Sequence, residues 1–401
     1  MNHDSPFRKR TILVTGGTGF IGGRLVERLY LEHGAEVRVL VKNHGRAAAR
    51  IGRLPIQLVG GEVNDEASVS NAMQGCDYVF HCAFGNEGGV KAQYRVNVGG
   101  IQSILSAAKQ HRPKRVVYIS TMAVYGKSSA PTIHEQLPYG DTGDSYGSSK
   151  RKAEEVARSY SAQHKISLSM VQPAIVYGPY GGSWTLGPLG ILRNQNLLLP
   201  REGQGTCNLV HVDDVIDAML LCATHPAADG ERFLINGDSI TWREFYGYFE
   251  RMIGRQAIQL APNGSFEGGG MLSEVKQRIR GIKGELAAIW SESPNRRDHL
   301  ANVIRLTGIQ AVQRYLPESF YKIVKGKGGG PKRIIHQPRT ESVPLIRPKG
   351  YELYLYDQQG VVSSQKAKDL LNYTPRIRPE EGMKGVQAWA KWANLLPESA
   401  R

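Results

Sequence analysis

Three glycines at three-residue spacing, set between a short apolar run and a helical pattern, constrain this chain more than any other feature. Thr15-Gly16-Gly17-Thr18-Gly19-Phe20-Ile21-Gly22 comes directly after the β-rich segment Thr11–Thr15. In that setting each glycine has a distinct use. Gly16 permits a tight turn, Gly19 lets the backbone approach a pyrophosphate, and Gly22 lets helix and strand pack closely. Phe20 and Ile21 then fall in the first helical turn, where unpaired N–H groups and the helix dipole favour an anion. A bare turn with accidental glycines is the alternative, and the downstream sequence decides against it.

That downstream sequence is a βαβ series. Strand patterns at Thr11–Thr15, Glu36–Val41, Ile56–Val59, Tyr78–Cys82, Arg115–Ser120 and Ser167–Gln172 alternate with helical patterns. The helical patterns are Arg24–Glu32, Ala67–Met73, Gly99–Lys109 and Ser148–His164. Strands joined by helices need crossover connections, which make a parallel sheet covered on both faces. The expected class is α/β, a doubly wound parallel Rossmann sheet with a smaller mixed C-terminal substrate lobe. The expected division is a dinucleotide domain over residues 1–178 and an interleaved lobe over 179–401. In that lobe Asn208–Val212 and Glu231–Asn236 read as strands. Asp213–Thr224, a segment from Trp242, Gln365–Leu371 and Glu380–Leu395 read as ordered again, mostly helical.

The charge is uneven. The chain carries a formal +15, and residues 251–350 hold 18 Lys/Arg against 7 Asp/Glu. A basic insertion over 260–350, partly loop at Lys325–Pro348, carries this excess. Within it, Leu272–Trp290 and Leu300–Leu316 have helical periodicity. The first carries interleaved Lys276, Arg278, Arg280 and Lys283, which suits an anionic substrate or a peripheral membrane contact through 272–290. An ordinary helix with solvated cations fits equally. No nucleic-acid motif or interleaved aromatic pattern accompanies the charge. The N-terminus, Met1 to Arg10, is polar, and no stretch approaches the ~18 apolar residues of a spanning helix. A soluble cytoplasmic protein with reduced cysteines is expected.

The tip of the second strand reports cofactor choice, since an acid there binds a ribose hydroxyl and a base a 2′-phosphate. Here Val41-Lys42-Asn43-His44 offers no acid, so NAD(P) with a lean to NADP(H) is expected, unless Lys42 is only a solvated strand end. Further on, Tyr146-Gly147-Ser148-Ser149-Lys150 puts Tyr and Lys on one helix face. A phenol titrates near ~10 in water. An ammonium beside it favours the phenolate, so Tyr146 can exchange a proton with a substrate oxygen during hydride transfer. Thr121 ends the preceding strand pattern, on the side where open parallel sheets bind ligands.

Together these features resemble the extended short-chain dehydrogenase/reductase family, including its NAD-dependent epimerase/dehydratase branch. The resemblance rests on TGGTGFIG, Asp77-Tyr78-Val79-Phe80-His81-Cys82-Ala83, Asn97-Val98-Gly99-Gly100, Ser120-Thr121-Met122-Ala123-Val124-Tyr125-Gly126 and Tyr146…Lys150. Val176-Tyr177-Gly178-Pro179 and Val210-His211-Val212-Asp213-Asp214 complete it. It implies Thr121 as catalytic hydroxyl, Tyr146 as acid/base and Lys150 as ribose-binding lysine. It also implies adenine contacts at Glu62 and Val63 and further cofactor contacts at Ala83 and Asn97. A homodimer through helices near Tyr146 is a common arrangement in the family and stays open here.

Departures narrow the chemistry. Sugar dehydratases of the family carry Asp-Glu after the catalytic Thr, where this chain has Met122-Ala123. The arginines usual in nucleotide-sugar members are Cys207 and Gln172 here, and neither replaces a bidentate phosphate contact. The expected activity is an epimerase or dehydrogenase at a secondary alcohol or ketone, first of a sugar or nucleotide-sugar. A ketoreductase or hydroxysteroid-dehydrogenase-like enzyme on an apolar ketone is the alternative, and a dinucleotide-sensing protein without chemistry the third. His81, His134 and His211 lack metal-ligand spacing. Asp213 reads as the cap of the helix after it.

Overall fold

The computed structural model describes residues 4–85, 89–262 and 343–397. Its centre is a seven-stranded sheet in the order β11-β7-β5-β4-β1-β2-β3, every pair parallel. The chain enters it through β1 (Thr11–Thr15), α1 (Phe20–Leu31), β2 (Glu36–Val41), α2 (His44–Ile51), β3 (Gln57–Gly60), α3 (Glu66–Met73) and β4 (Tyr78–His81). It continues with α4 (Gly89–His111), β5 (Arg115–Ile119), the short β6 (Thr132–Ile133), α5 (Ser145–His164) and β7 (Leu168–Pro173). Every residue of β4, β5 and β7 is buried, the mark of strands covered by helices on both faces. Two apolar clusters fill those faces, one around Leu25, Val26 and Ile216, the other around Ile104, Leu105 and Ala157.

The rest of the chain is β8 (Ile175–Tyr177), α6 (Gly187–Asn194), β9 (Asn196–Leu199), β10 (Thr206–His211), α7 (Val212–Thr224), β11 (Arg232–Ile235), β12 (Asp238–Thr241), α8 (Trp242–Ile253) and β13 (Ile258–Leu260). After the basic segment come β14 (Leu345–Ile346), α9 (Tyr351–Asp357), β15 (Val361–Val362), α10 (Gln365–Leu371) and α11 (Pro379–Trp392). Two small sheets, β12-β10-β8 and β13-β9-β14, support a second core around Trp242, Phe245, Phe249 and Trp389. A reciprocal cap starts α8: Thr241 Oγ1 accepts from the Glu244 N–H while the Glu244 carboxylate accepts from the Thr241 N–H.

Several elements add to or differ from expectation, some for local and some for tertiary reasons. β11 pairs with β7, so the main sheet draws on residues 232–235 and is not confined to 1–178. β14 pairs with β9 inside the stretch read as loop. The helix α4 begins at Gly89 instead of Gly99, its extra turns carrying the buried polar Gln93 and Asn97 that hid the apolar period. α5 begins at Ser145 because the Asp144 carboxylate accepts from the Gly147 N–H at 2.7 Å. Asp213 is not the cap of α7. His211 is, its Nδ1 accepting from the Asp213 N–H at 3.2 Å, while the Asp213 carboxylate pairs with Arg24 at 2.7 Å. The patterns at 272–290 and 300–316 lie outside the described residues. Among the described residues no helix is long and apolar enough to cross a membrane.

Candidate active site

The glycine loop turns on Gly16, at φ +72, where a Cβ would stand 2.6 Å from the Ala83 nitrogen. The loop therefore lies directly on the end of β4. A Cβ on Gly22 would stand 2.3 Å from the Gly16 carbonyl oxygen, so helix and loop touch backbone to backbone. Gly19 is the N-cap of α1 and offers no capping side chain, and the first turn holds no acid. The amides of Phe20 and Ile21 are thus left to whatever occupies the cradle, which fits a dinucleotide pyrophosphate. At the tips of β2 and β3, Lys42 and Glu62 are paired with each other at 3.0 Å and largely exposed. An exposed ion pair of this kind is weak and opens at little cost. Val63 packs beneath Gly100 of α4, where a Cβ would approach it to 3.1 Å. Buried Asn97 accepts from the Gly85 N–H and donates to Ser149 Oγ, each at 2.9 Å, tying the chain after β4 to α5.

The second centre is the start of α5. Lys150 is 4% exposed, and its Nζ donates to the Ile119 carbonyl at 2.8 Å and the Tyr118 hydroxyl at 3.5 Å. The ammonium also lies 4.9 Å from the Tyr118 ring and 5.9 Å from that of Phe84. Burial pulls its pKa down to about 8, with Glu154 the foremost opposing influence. Tyr146, one turn earlier, is half-buried and meets Phe84 edge to face at 6.1 Å. Thr121 comes just after the end of β5, and its hydroxyl oxygen accepts from the Ala123 N–H at 3.2 Å. That contact leaves the hydroxyl proton to be donated. Beneath them His81, wholly buried, stacks on Tyr118 and meets Thr15 Oγ1 at 2.8 Å. Burial lowers its pKa to about 3, so it is a neutral prop.

Three side chains belong to this corner although no motif marks them. Phe84, 46% exposed, presents its ring beside Tyr146 and Lys150. Tyr351 opens α9 beside Gly143, within electrostatic reach of Asp144 and Tyr146, and burial pushes its phenol well above the usual range. Its helix is pinned by Tyr354, whose hydroxyl accepts from the Ser128 N–H at 2.8 Å. Glu154, one turn beyond Lys150, is fully buried. The aromatic spacing in Tyr351-Glu352-Leu353-Tyr354 was the available signal for α9, and Lys150 to Glu154 at four residues that for Glu154.

Two positions read as departures from a phosphate clamp face elsewhere. Cys207 is fully buried in the second core. Gln172 is fully buried too, its amide donating to Glu154 and its carbonyl accepting from Tyr125 at 2.9 Å.

Residues 12–236 match the profile of the NAD dependent epimerase/dehydratase family. A putative dihydroflavonol 4-reductase of Synechocystis sp. is 33% identical over 255 residues, 61% of this chain and 73% of that protein. A 4-hydroxy-2-methyl-3-oxo-4-farnesyl-3,4-dihydroquinoline-1-oxide ketoreductase of Stigmatella aurantiaca is 27% identical over 238 residues, 58% of this chain and 70% of that protein. Among solved structures, the dTDP-glucose 4,6-dehydratase DesIV of Streptomyces venezuelae superposes with a TM-score of 0.65 at 19% identity, covering 98% of this chain and 100% of that one. The UDP-glucose 4-epimerase of Thermotoga maritima gives 0.62 at 19% identity, covering 96% and 99%. At such identities these structures speak for the fold.

Proposed function

From the premise that this chain belongs to the NAD dependent epimerase/dehydratase family, we propose that it is an NADP(H)-dependent oxidoreductase interconverting an apolar ketone and its secondary alcohol. The observation that carries the substrate class is the exposed Phe84 ring standing edge-on to Tyr146. Its apolar face flanks the reacting position where a sugar would ask for hydrogen-bonding groups. Cys207 and Gln172 are turned into cores, so neither serves a diphosphate. The Synechocystis and Stigmatella relatives are reductases by name, which agrees. A sugar or nucleotide-sugar, the first expectation, ranks second on these grounds.

In the reductive direction Tyr146 gives its proton to the carbonyl oxygen as the carbon receives a hydride. Thr121 donates a hydrogen bond to the same oxygen and fixes its direction toward Tyr146. Lys150 holds a positive charge beside the phenol and so favours the tyrosinate left behind. Nicotinamide, when bound, supplies the hydride in this direction and accepts it in the other. Phe20 and Ile21 amides, with the cradle of Gly16, Gly19 and Gly22, would hold the pyrophosphate. Ala83 and Asn97 would line the same cleft. Lys42, released from Glu62, would meet a 2′-phosphate, and Glu62 with Val63 the adenine side.

The test is NADPH consumption with aryl and alkyl ketones, run beside conversion of nucleoside-diphosphate sugars. Ketone reduction that falls at least about 100-fold in Tyr146→Phe, with NADPH affinity nearly unchanged, is the expected result. Epimerisation of a nucleotide-sugar with no ketone turnover would overturn the substrate class. Wild-type rates in Tyr146→Phe would overturn the mechanism.

A further inference from the structure

Glu154 is a buried carboxylate without a salt bridge among the described residues. Its two oxygens accept from Gln172 Nε2 at 2.8 and 2.9 Å, and Oε2 accepts from the Tyr139 hydroxyl at 2.6 Å. Every contact is from a donor, which suits the ionised form, since a protonated carboxyl would need an acceptor. Buried charges persist where another charge compensates them. Gln172 satisfies the lone pairs of Glu154 and cancels none of its charge. Lys150 lies one turn away on the same helix, where residues four apart are surface neighbours. It is as deeply buried and makes no salt bridge of its own among the described residues.

We propose that Glu154 is the counter-charge of Lys150, a positioning residue that keeps the lysine protonated beside Tyr146. The uncharged Gln172 leaves the field of Glu154 directed at Lys150. The groups around the pair are few. Facing Lys150 are His81 at the end of β4, Cys82 just after it, Tyr118 from β5, and Phe84, with Tyr146 one turn earlier on α5. Cys82 is held as the thiol by burial, which pushes it up to about 12, and His81 is neutral. Facing Glu154 are Gln172 from β7, Tyr118 from β5, and Tyr125 and Tyr139 from the preceding loops. Arg232 of β11 lies over the Tyr125 and Tyr139 rings, and Arg158 reaches Tyr139. Neither arginine bonds to Glu154. The direction of its influence on Lys150 is upward, against the larger downward pull of burial.

The inference rests on the Tyr146–Lys150 reading for its consequence in turnover, and its test separates the two. Protein labelled with carbon-13 at lysine Cε is titrated by two-dimensional NMR, the Lys150 resonance being identified by its loss in Lys150→Arg. In wild type the midpoint is expected near 8. In Glu154→Gln it is expected to fall by about one pH unit. Gln172→Arg, which neutralises Glu154 by adding a cation, moves it the same way and serves if Glu154→Gln does not fold. A purely structural Glu154 would change the melting temperature and leave the midpoint in place, and that result overturns the proposal. The pH profile of kcat for ketone reduction is expected to move with the midpoint. A midpoint that moves under an unmoved profile leaves the Glu154–Lys150 coupling standing and overturns its role in turnover, with the acid/base reading on which that role rests.

Discussion

Replacing Lys150 by methionine is expected to stabilise the protein while disabling it. The lysine pKa falls from 10.5 to about 8 on burial, so the charged form costs about 3 kcal/mol in the folded state. Methionine has a similar length and carries no charge. It forfeits the hydrogen bond to the Ile119 carbonyl, worth about 1 kcal/mol. Near pH 7 the variant should therefore be the more stable protein by about 2 kcal/mol. The pH dependence is the sharper test. Between about 8 and 10.5 the unfolded chain holds the Lys150 proton and the folded one does not. Stability of the wild type relative to the variant then rises with pH, and below that window the term is constant. Urea unfolding of both proteins at pH 7 and above 10 should show their difference changing by about 3 kcal/mol. Titrating groups remote from Lys150 are common to the two and cancel. A difference independent of pH would refute the premise that this lysine is desolvated when folded. Ketone turnover should fall by about 100-fold or more, because the tyrosinate loses its neighbouring charge.

Three further substitutions probe separate parts. Gly22→Ala places a Cβ 2.3 Å from the Gly16 carbonyl oxygen, in a loop held so close to Cys82 and Ala83 that a Cβ on Gly16 would itself stand 2.6 Å from them. NADPH affinity by calorimetry should drop at least about tenfold. Gly382→Ala should destabilise by about 1–3 kcal/mol in urea unfolding, since its Cβ would meet the Tyr177 hydroxyl at 2.4 Å and the ring at 2.8 Å. Helix propensity alone predicts the opposite sign, a gain of about 1 kcal/mol. Phe84→Ala should raise KM for an aryl ketone by about tenfold with little change in kcat, the pattern of lost uniform binding.

The main sheet was legible because its strands are short apolar runs bounded by turn residues, and because parallel strands buried on both faces have no polar alternation to confuse. Helix starts were less legible. Asp144 caps α5 from a loop whose Gly- and Ser-rich neighbours look like any turn. The short α2 is rich in Arg and Ala, with too few apolar positions to show a period. The membership of β11 in the large sheet is a tertiary fact, settled by its pairing with β7 across α7, and no local pattern encodes it.

The site was legible in proportion to how much of it sits on one element. Tyr146 and Lys150 share α5, and the glycine loop is contiguous, so spacing alone assembled each of them. Phe84 and Tyr351 come from the chain after β4 and from α9, and only the fold brings them to Tyr146. Where the side chains of Cys207 and Gln172 point is likewise visible only in the fold. As residue types neither can make a bidentate phosphate contact, and their burial agrees with that. In the folded chain Cys207 fills an apolar core and Gln172 serves the carboxylate of Glu154. Gln172 therefore bears on interior charge as well as on the substrate. An uncharged amide beside Glu154 adds no compensating cation, which on the proposal above leaves Lys150 as its counterpart. On that proposal the residue at 172 also tunes proton affinity at the Tyr–Lys pair, which Gln172→Arg would lower at Lys150.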